Sequence, residues 1–323
     1  MNVGAILDRI RGLRVLVAGD VCLDRWCRYD PDLAEPSRET GIPRVAVVAT
    51  EVTPGAAGTI ANNAAALGAA RVDVMGVIGD DGFGHELKRA LAARGIGTGL
   101  LLHAAVPTFT YTKLLNCRSG EEDLPRIDFV NTRAPAPELD GALVTAFERA
   151  ARDYDCILVS DQAETETGGV ITPVMRGAIS RAAAAHPETV VWVDSRLRTE
   201  YFRGVIVKPN RREAEEASMR ALGRIDFPAL RAHLQAPLLV ITNGSAGADI
   251  LDPGGCRQAC AKAVENPVDI CGAGDSFSAG AAMALRITGD ALAAAGFGNL
   301  VASITIMKKG TGTASPEEVL AQC

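Results

Sequence analysis

The sequence alternates short apolar runs with amphipathic helical patterns, and this alternation is the feature that most constrains the fold. The runs are rich in β-branched residues and are apolar throughout, as buried parallel strands are. Helical stretches such as FGHELKRALAARG and ITPVMRGAISRAAAAH separate them. This rhythm predicts an α/β fold with a mostly parallel sheet and helices on both faces. The strand-like runs lie at 14–20, 71–81, 155–161, 190–195, 204–210 and 237–244.

Many of these runs end in Asp, Asn, Ser, Thr or Gly. In sheets of this kind, ligands bind at the carboxyl ends of the strands. We therefore expect a site along that edge. Asp20, Asp161 and Asp194 lie there, either as direct ligand contacts or as caps of the helices that follow.

Two segments interrupt the alternation, and both indicate antiparallel β-structure. Residues 25–52 contain three prolines before the run RVAVVATEV, and residues 107–131 alternate polar and apolar residues around CRSGEED. We predict one domain over residues 1–323 in which these segments form a small β-sheet lid over the carboxyl edge. The plainer alternative is a surface hairpin without function. An apolar lid face would favour a homodimer in which two lids cover each other.

Composition and charge argue against several classes of protein. The net charge is −6 and no basic stretch stands out, so nothing predicts a nucleic-acid partner. Charged residues within the first 20 positions argue against a signal peptide, and no apolar run is long enough to span a membrane. The eight cysteines form no CxxC pair, which predicts buried thiols in a cytoplasmic protein rather than disulfides or a zinc site.

The strongest chemical signal is the segment DICGAGDSFSAGAAMAL at 269–285. Gly272, Ala273 and Gly274 lead into an apolar helical pattern, so backbone N–H groups and the helix dipole predict an anion hole for phosphate oxygens. A carboxylate at Asp275 would repel a bound phosphate, which favours a base that takes a hydroxyl proton during phosphoryl transfer. The alternative is that Asp275 only complements the helix dipole.

Two further motifs follow strand-like runs, and each has a structural alternative. Asn210 and Glu213 can hold the waters of hydrated Mg²⁺, which dehydrates reluctantly, or can form a helix capping box. The hydroxyl of Thr242 and the backbone N–H of Gly244 suit a phosphate, but an ordinary Asn-Gly turn explains the same residues.

The sequence GAGDSF, preceded by Asp269, resembles the signature of the PfkB/ribokinase family of carbohydrate kinases. The resemblance covers nearly the whole chain and is closest to the heptose-7-phosphate kinases of ADP-heptose synthesis. The other segments that carry it are GDVCLDRW at 19–26, PGAAGTIANNAAALGA at 54–69, LPRID at 124–128, KPNRREAE at 208–215, ITNGSAGA at 241–248 and KKGTGTASPEE at 308–318.

This resemblance implies a ribokinase-like three-layer sandwich and transfer of the γ-phosphoryl group of ATP to a hydroxyl of a sugar or sugar phosphate, with Asp275 as general base. It implies that Glu213 holds Mg²⁺ through water and that Asp269 supports a K⁺ site. The residues that it assigns to the sugar are Asp24, Gly55, Ala56 and Thr59. Those that it assigns to the nucleotide are Asn210, Glu213, Thr242, Gly244, Gly247 and Asn299.

The chain departs from the family pattern on the sugar side. Ala56 replaces the second of two paired glycines, Thr59 replaces an asparagine, and AEPSRETGIPR at 34–44 replaces a stretch of the heptose kinases. If the second glycine needs a positive φ, Ala56 is strained. A sugar phosphate would need one or two of the charged residues of the lid, Lys113, Arg126 and Asp128.

Three other functions remain as alternatives. A nucleoside or fructose-type kinase of the same family would share the motifs, and so would a non-catalytic nucleotide- or sugar-binding protein on the same fold. The presence of Asp275 between the anion hole and the helix argues against the non-catalytic protein. A Rossmann dehydrogenase is disfavoured because no GxGxxG follows the first strand.

Overall fold

The predicted parallel strands form the larger of two sheets in a computed structural model, which describes residues 1–262 and 264–322. Over those residues the sheet has nine strands, and all neighbouring pairs are parallel except β11–β12 and β12–β13 at one edge. From that edge to the other, the strands are β13 (Gly255–Ala259), β12 (Ala248–Asp252), β11 (Leu239–Thr242), β10 (Ile206–Val207), β9 (Val190–Ser195), β8 (Cys156–Asp161), β1 (Arg14–Gly19), β4 (Arg71–Gly79) and β5 (Gly97–Ala104).

The central strand β1 explains why the strand-like runs are apolar throughout. Successive side chains of a strand point to opposite faces. Val15 and Val17 pack into the core on one face of the sheet, and Leu16 and Ala18 pack into the core on the other. Both faces are therefore covered, as expected for a parallel sheet.

The helices form two layers, one on each face, so the predicted three-layer α/β fold is confirmed. The first layer consists of α1 (Val3–Ile10), α2 (Ala57–Ala66), α3 (Gly82–Ala92), α8 (Ala273–Thr288), α9 (Ala291–Thr305) and α10 (Pro316–Leu320). The second consists of α4 (Pro137–Ala150), α5 (Pro173–Ala185), α6 (Arg211–Leu222) and α7 (Phe227–Leu234).

Small residues allow α8 and α9 to lie close together. A Cβ on Gly298 of α9 would lie 2.9 Å from the Cβ of Ala281, and a Cβ on Gly280 would lie 3.0 Å from Val301. Such distances are below ordinary van der Waals contact, so larger residues would push the helices apart. This packing fixes the helix that begins at the GAGD segment.

The two segments that interrupt the alternation contribute the strands of the second, smaller sheet. Its strands, side by side over the described residues, are β3 (Val47–Ala56), β2 (Val21–Tyr29), β6 (Thr110–Asn116) and β7 (Ile127–Phe129). The chain passes from β1 into β2 through the single residue Asp20. Asp24 therefore lies on the smaller sheet and not at the end of a strand in the larger one.

The prediction that the cysteines are buried holds for only some of them. Buried thiols belong to Cys22, Cys27 and Cys156. Exposed ones belong to Cys117, Cys256, Cys260 and Cys271, which lie in turns or at the sheet edge, where no core covers them. Cys323 lies outside the described residues. Among the described helices, none combines the length and the apolar character that crossing a membrane requires.

Candidate active site

The residue that precedes helix α8 is Gly272, and a side chain at this position would be crowded. Gly272 has a φ of 77°, and a Cβ there would lie 3.1 Å from Cγ2 of Thr59 and 3.2 Å from Cγ2 of Thr311. The N–H of Ala273 donates to the carbonyl of Ile270. Those of Gly274 and Asp275 lie in the first helical turn, where a helix provides no acceptor for them. These two donors are thus available to an anion.

Asp275 lines a cavity of about 200 Å³ between this turn and the smaller sheet. Of the residues that the resemblance assigned to the sugar, Asp24, Ala56 and Thr59 line the same cavity. Gly55 lies directly beside Asp24, since a Cβ on Gly55 would overlap its carboxylate. The fold therefore brings the sugar-side residues together with the GAGD turn.

Ala56 occupies a strained backbone conformation. Its φ is 52° and its ψ is −119°, a region in which residues other than glycine are rarely found. This is the position at which the family pattern has its second glycine, so the strain expected from the sequence is present. Three residues further on, within α2, Thr59 is buried and its hydroxyl donates to the carbonyl of Pro54 at 3.3 Å.

The two aspartates that line the cavity have raised pKa values. Burial raises the pKa of Asp24 to about 6, although a hydrogen bond from Cys22 and the charges of Lys113 and Arg126 oppose the shift. The pKa of Asp275 rises to about 8, because protein atoms exclude water from the carboxylate and because Asp194 is close; Lys208 opposes the shift. A base with a pKa near neutrality is suited to proton transfer.

The described part of the chain contributes four basic side chains to the lining of the cavity: Arg25, Lys113, Arg126 and Arg196. Three of them contact a carboxylate, namely Glu122 at 3.6 Å from Lys113, Asp128 at 2.7 Å from Arg126 and Glu164 at 3.2 Å from Arg196.

The fourth cation, Arg25, lies 4.5 Å over the ring of Phe83 and donates to the hydroxyl of Thr112 at 3.4 Å. Sequence reasoning missed Arg25 and Arg196. Arg25 directly follows Asp24 in β2, and Arg196 follows the strand that ends in Asp194 and Ser195. Both arginines are therefore neighbours of aspartates that the sequence analysis had already assigned to the site.

The capping-box alternative for Asn210 and Glu213 is realised at the start of α6. The Asn210 side chain accepts a hydrogen bond from the N–H of Glu213, and Glu213 accepts one from the N–H of Asn210 at 2.7 Å. Asn210 also forms a β-bridge with Thr242, so the three residues meet at the ends of β10 and β11. Burial raises the pKa of Glu213, and the charge of Asp194 adds to the shift.

The remaining nucleotide-side residues lie near the antiparallel edge of the larger sheet. Gly247 has a φ of 93°, and a Cβ there would overlap the carbonyl of Ala259. The side chain of Asn299 donates to the same carbonyl at 3.0 Å. Gly244 is exposed in the short turn between β11 and β12. None of these residues lines the cavity that Asp275 and Asp24 share.

Asp269 connects the two loops that flank the anion-hole turn. One carboxylate oxygen accepts the N–H of Cys271 at 2.9 Å, and the other accepts the N–H of Gly310 at 3.1 Å. Both oxygens are therefore engaged by the protein itself.

The three aspartates at the strand ends make contacts within the protein. Asp20 accepts the backbone N–H groups of Gln162, Ala163 and Val170. Asp161 accepts hydrogen bonds from Ser195 and Arg198. Asp194 pairs with Lys208, a buried lysine that sequence reasoning missed although it interrupts the apolar run GVIVKPN.

Fold and motif together define a carbohydrate kinase. The sequence matches the pfkB family of carbohydrate kinases over residues 21–318, and the chain belongs to this family. The predicted family and the predicted class of enzyme, a sugar phosphotransferase, are confirmed.

Curated relatives and solved structures agree with this assignment. The chain is 32% identical to the D-beta-D-heptose 7-phosphate kinase of Bordetella bronchiseptica, over 97% of this chain and 96% of that protein. It is 35% identical to the bifunctional protein HldE of Caulobacter sp. (strain K31), over 96% of this chain but only 62% of that protein's length. Phosphofructokinase-2 from Escherichia coli shares the fold with a TM-score of 0.71 at 19% identity, covering 96% of this chain and 98% of that one.

Proposed function

We propose that this chain transfers the γ-phosphoryl group of ATP to a hydroxyl of a phosphorylated sugar. The observation that carries the proposal is the shared cavity of Asp275, Asp24 and the four basic side chains. Carboxylates accept hydrogen bonds from sugar hydroxyls, and guanidinium and ammonium groups bind phosphate. Three of these cations already contact carboxylates of the protein, so an acceptor phosphate would join or replace those contacts. The name of the Bordetella bronchiseptica relative supports a heptose 7-phosphate as the acceptor.

In this proposal, Asp275 accepts the proton of the attacking hydroxyl as the new O–P bond forms. The N–H groups of Gly274 and Asp275 and the dipole of α8 stabilise the charge on the transferring phosphoryl oxygens. Gly272 and Ala273 form the turn that brings these donors close to the ligand. Phosphoryl transfer asks little covalent chemistry of the protein, so positioning and electrostatics supply most of the rate enhancement.

The sugar is held opposite the anion-hole turn. Asp24 accepts hydrogen bonds from sugar hydroxyls, while Gly55, Ala56 and Thr59 form the wall beside it. The methyl group of Thr59 lies so close to Gly272 that a side chain there would be crowded, so the same wall also borders the anion-hole turn. The phosphate of the acceptor lies towards the basic residues of the smaller sheet.

ATP is proposed to lie along the surface that runs from the GAGD turn past Thr242 and Gly244 to Gly247 and Asn299. Within the described residues, no group of three or more His, Cys, Asp or Glu side chains is arranged to hold a metal ion. The carboxylate of Glu213 and the amide of Asn210 nevertheless suit Mg²⁺ that keeps its waters. Mg²⁺ bound there would neutralise charge on the ATP phosphates. Such ATP-dependent chemistry fits a cytoplasmic enzyme.

A monovalent cation is a further part of the proposal. Asp269 would support K⁺ indirectly, because its oxygens already bind the N–H groups of Cys271 and Gly310 and thereby shape the loops beside Gly272. Replacing KCl by tetramethylammonium chloride at constant ionic strength tests this. Lower activity without K⁺ supports it, and equal activity contradicts it.

The smaller sheet is proposed to act as a lid and as the contact of a homodimer. Four of its apolar side chains are exposed, namely Val47 at 47%, Val48 at 53%, Ile127 at 51% and Phe129 at 42%. They lie on the two edge strands of the smaller sheet, and exposed apolar surface favours association. Two lids that pack together would cover them.

A coupled assay of ADP release tests the proposed reaction. Sugars, sugar phosphates including a heptose 7-phosphate, and nucleosides are offered with MgATP. We expect turnover with phosphorylated sugars, and we expect Asp275→Asn to lower kcat by about 10²- to 10⁴-fold while ATP still binds. Asp290→Asn, at the exposed start of α9, is the matched control because asparagine is an equally good helix cap. Turnover of nucleosides alone, or near-parental kcat in Asp275→Asn, contradicts the proposal.

A further inference from the structure

One buried ammonium lies between the acceptor cavity and the nucleotide side. Lys208 follows β10, its side chain is 3% exposed, and its Nζ lies 2.8 Å from Oδ2 of Asp194 in β9, which is 8% exposed. Burying an ion pair carries a desolvation cost that its attraction hardly repays, so an apolar pair would serve folding as well. This ion pair therefore calls for an explanation in the chemistry of the site.

The ammonium lies against the turn that begins α8. A Cβ on Gly274 would be 3.4 Å from Nζ of Lys208, which is ordinary contact. One helical turn further on, the hydroxyl of Ser278 is 3.3 Å from the same oxygen of Asp194. The ion pair thus connects β9, the end of β10 and α8 behind the anion hole.

The charged groups around Asp275 come from several elements. Asp194 of β9 and Asp24 of β2 carry negative charge, and Lys208 and Arg196 carry positive charge. Of these two cations, Lys208 has the larger effect on the carboxylate and is the fully buried one.

Lys208 itself is held in its charged form. Burial favours the neutral amine, but the charges of Asp194, Glu213 and Asp275 outweigh it, and the pKa of Lys208 is raised. The thiols of Cys22 and Cys271 also lie near these carboxylates, but burial raises the pKa of both, so they stay neutral. The ammonium therefore contacts Asp194 and is also attracted by the charges of Glu213 and Asp275.

We propose that Lys208, oriented by Asp194, is a positioning residue that favours the ionised form of the Asp275 carboxylate, which is the form that accepts the hydroxyl proton. This inference rests on the proposed role of Asp275 as the base. A positive charge within a few ångströms favours the ionised carboxylate, and a negative charge disfavours it. Lys208 and Asp194 consequently act on Asp275 in opposite directions, which a residue needed only for packing would not do.

The test is the pH dependence of kcat/KM for the acceptor at saturating MgATP. In Lys208→Met, the acid limb of the profile should move to higher pH by about one unit or more, because the carboxylate loses its cation. In Asp194→Asn, the limb should move to lower pH. In the variant that carries both substitutions, the acid limb should lie between its positions in the two single variants. This double variant also avoids the destabilisation that an unpaired buried charge causes.

Two further variants separate charge from packing. Lys208→Arg keeps the charge and should keep the limb near its parental position. Ser278→Ala removes a hydrogen bond to Asp194 without removing charge, and it should shift the limb less than Asp194→Asn does. If all these variants lower kcat at every pH and leave the limb unmoved, Lys208 serves packing only and the proposal is wrong.

A second measurement does not depend on turnover. The ¹³C signal of the Asp275 carboxyl carbon, identified by its loss in Asp275→Asn, can be titrated by NMR in the free protein. We expect the pKa read from this signal to rise in Lys208→Met and to fall in Asp194→Asn. An unchanged pKa in Lys208→Met overturns the inference, whereas shifted NMR titrations with an unmoved kinetic limb would show instead that Asp275 is not the base.

Discussion

A Cβ atom on Gly55 of β3 would overlap Oδ1 of Asp24 on the neighbouring strand β2, so the carboxylate occupies the place that a side chain at position 55 would take. The carboxylate of Asp24 can pack against β3 only because position 55 has no side chain. Cys22, on the same face of β2, contacts the same oxygen at 3.6 Å. The orientation of the carboxylate towards the cavity is therefore set by the strand beside it.

The first prediction concerns Asp24 as the group that binds the acceptor. Losing a hydrogen bond to a charged group costs about 1.5–3 kcal/mol, so Asp24→Ala should raise the acceptor KM by about 10- to 150-fold. The KM for ATP should stay near its parental value. Asp123→Asn, a lid carboxylate bonded to Tyr29 outside the cavity, is the control. A normal acceptor KM with a lowered kcat would argue that Asp24 acts in another step.

The second prediction concerns Glu213 and the metal. Glu213→Gln keeps the shape of the capping box but removes the negative charge, so the Mg²⁺ concentration for half-maximal activity should rise several-fold. The acceptor KM should change little. Calorimetry of ATP binding with and without Mg²⁺ provides a measurement besides activity. Glu215→Gln, two residues along α6, controls for loss of charge on the same helix. Equal Mg²⁺ dependence in Glu213→Gln and the parent would remove Glu213 from the metal site.

The third prediction concerns the strained alanine. Because Ala56 has a φ of 52°, Ala56→Gly should relieve strain worth about 1–3 kcal/mol, less the greater chain entropy that glycine adds to the unfolded state. We expect a net stabilisation of about 1 kcal/mol in denaturant unfolding. Ala57→Gly, in the helix that follows, should instead destabilise the protein. Stabilisation by both substitutions, or by neither, would mean that the strain at Ala56 has little energetic weight.

The fourth prediction concerns stability and pH in the absence of ligands. The pKa of Asp275 is raised to about 8 in the folded protein, from the ordinary value of 3.8 for an aspartate side chain. The folded state binds this proton more tightly than the unfolded state, so the associated stability is present at low pH and is lost as pH rises towards about 8. The Tm of the parent should therefore fall more between pH 5 and 9 than the Tm of Asp275→Asn. Parallel Tm curves would contradict the raised pKa.

The fifth prediction concerns the lid as a dimer contact. Val47→Glu and Ile127→Glu place charges at exposed apolar positions on the two edge strands of the smaller sheet, so each should weaken association by at least tenfold in light scattering or sedimentation. Met219→Glu, at a position 49% exposed on α6, is the matched control and should not alter association. A parent that remains monomeric at high concentration would disprove this contact.

Local sequence signals determined a large part of this protein. The β-branched runs around Val15 and Val159 predicted parallel strands, because burial on both faces requires apolar residues at every position. The Gly272–Asp275 turn was recognisable because backbone N–H groups at a helix start form an anion site within a few residues of chain. Strands with exposed positions, such as β5 and β13, lacked that apolar signal and were not predicted.

Only the tertiary structure decided which distant side chains meet. Asp24 and Asp275 line one cavity because the chain leaves the larger sheet at Asp20 and enters the smaller sheet as β2, a path that no local periodicity encodes. The pairing of Lys208 with Asp194 likewise depends on the register between β9 and β10. Hydrophobic period and turn chemistry act over a few residues, whereas the charges and contacts of the site arise from segments brought together by packing of the whole core.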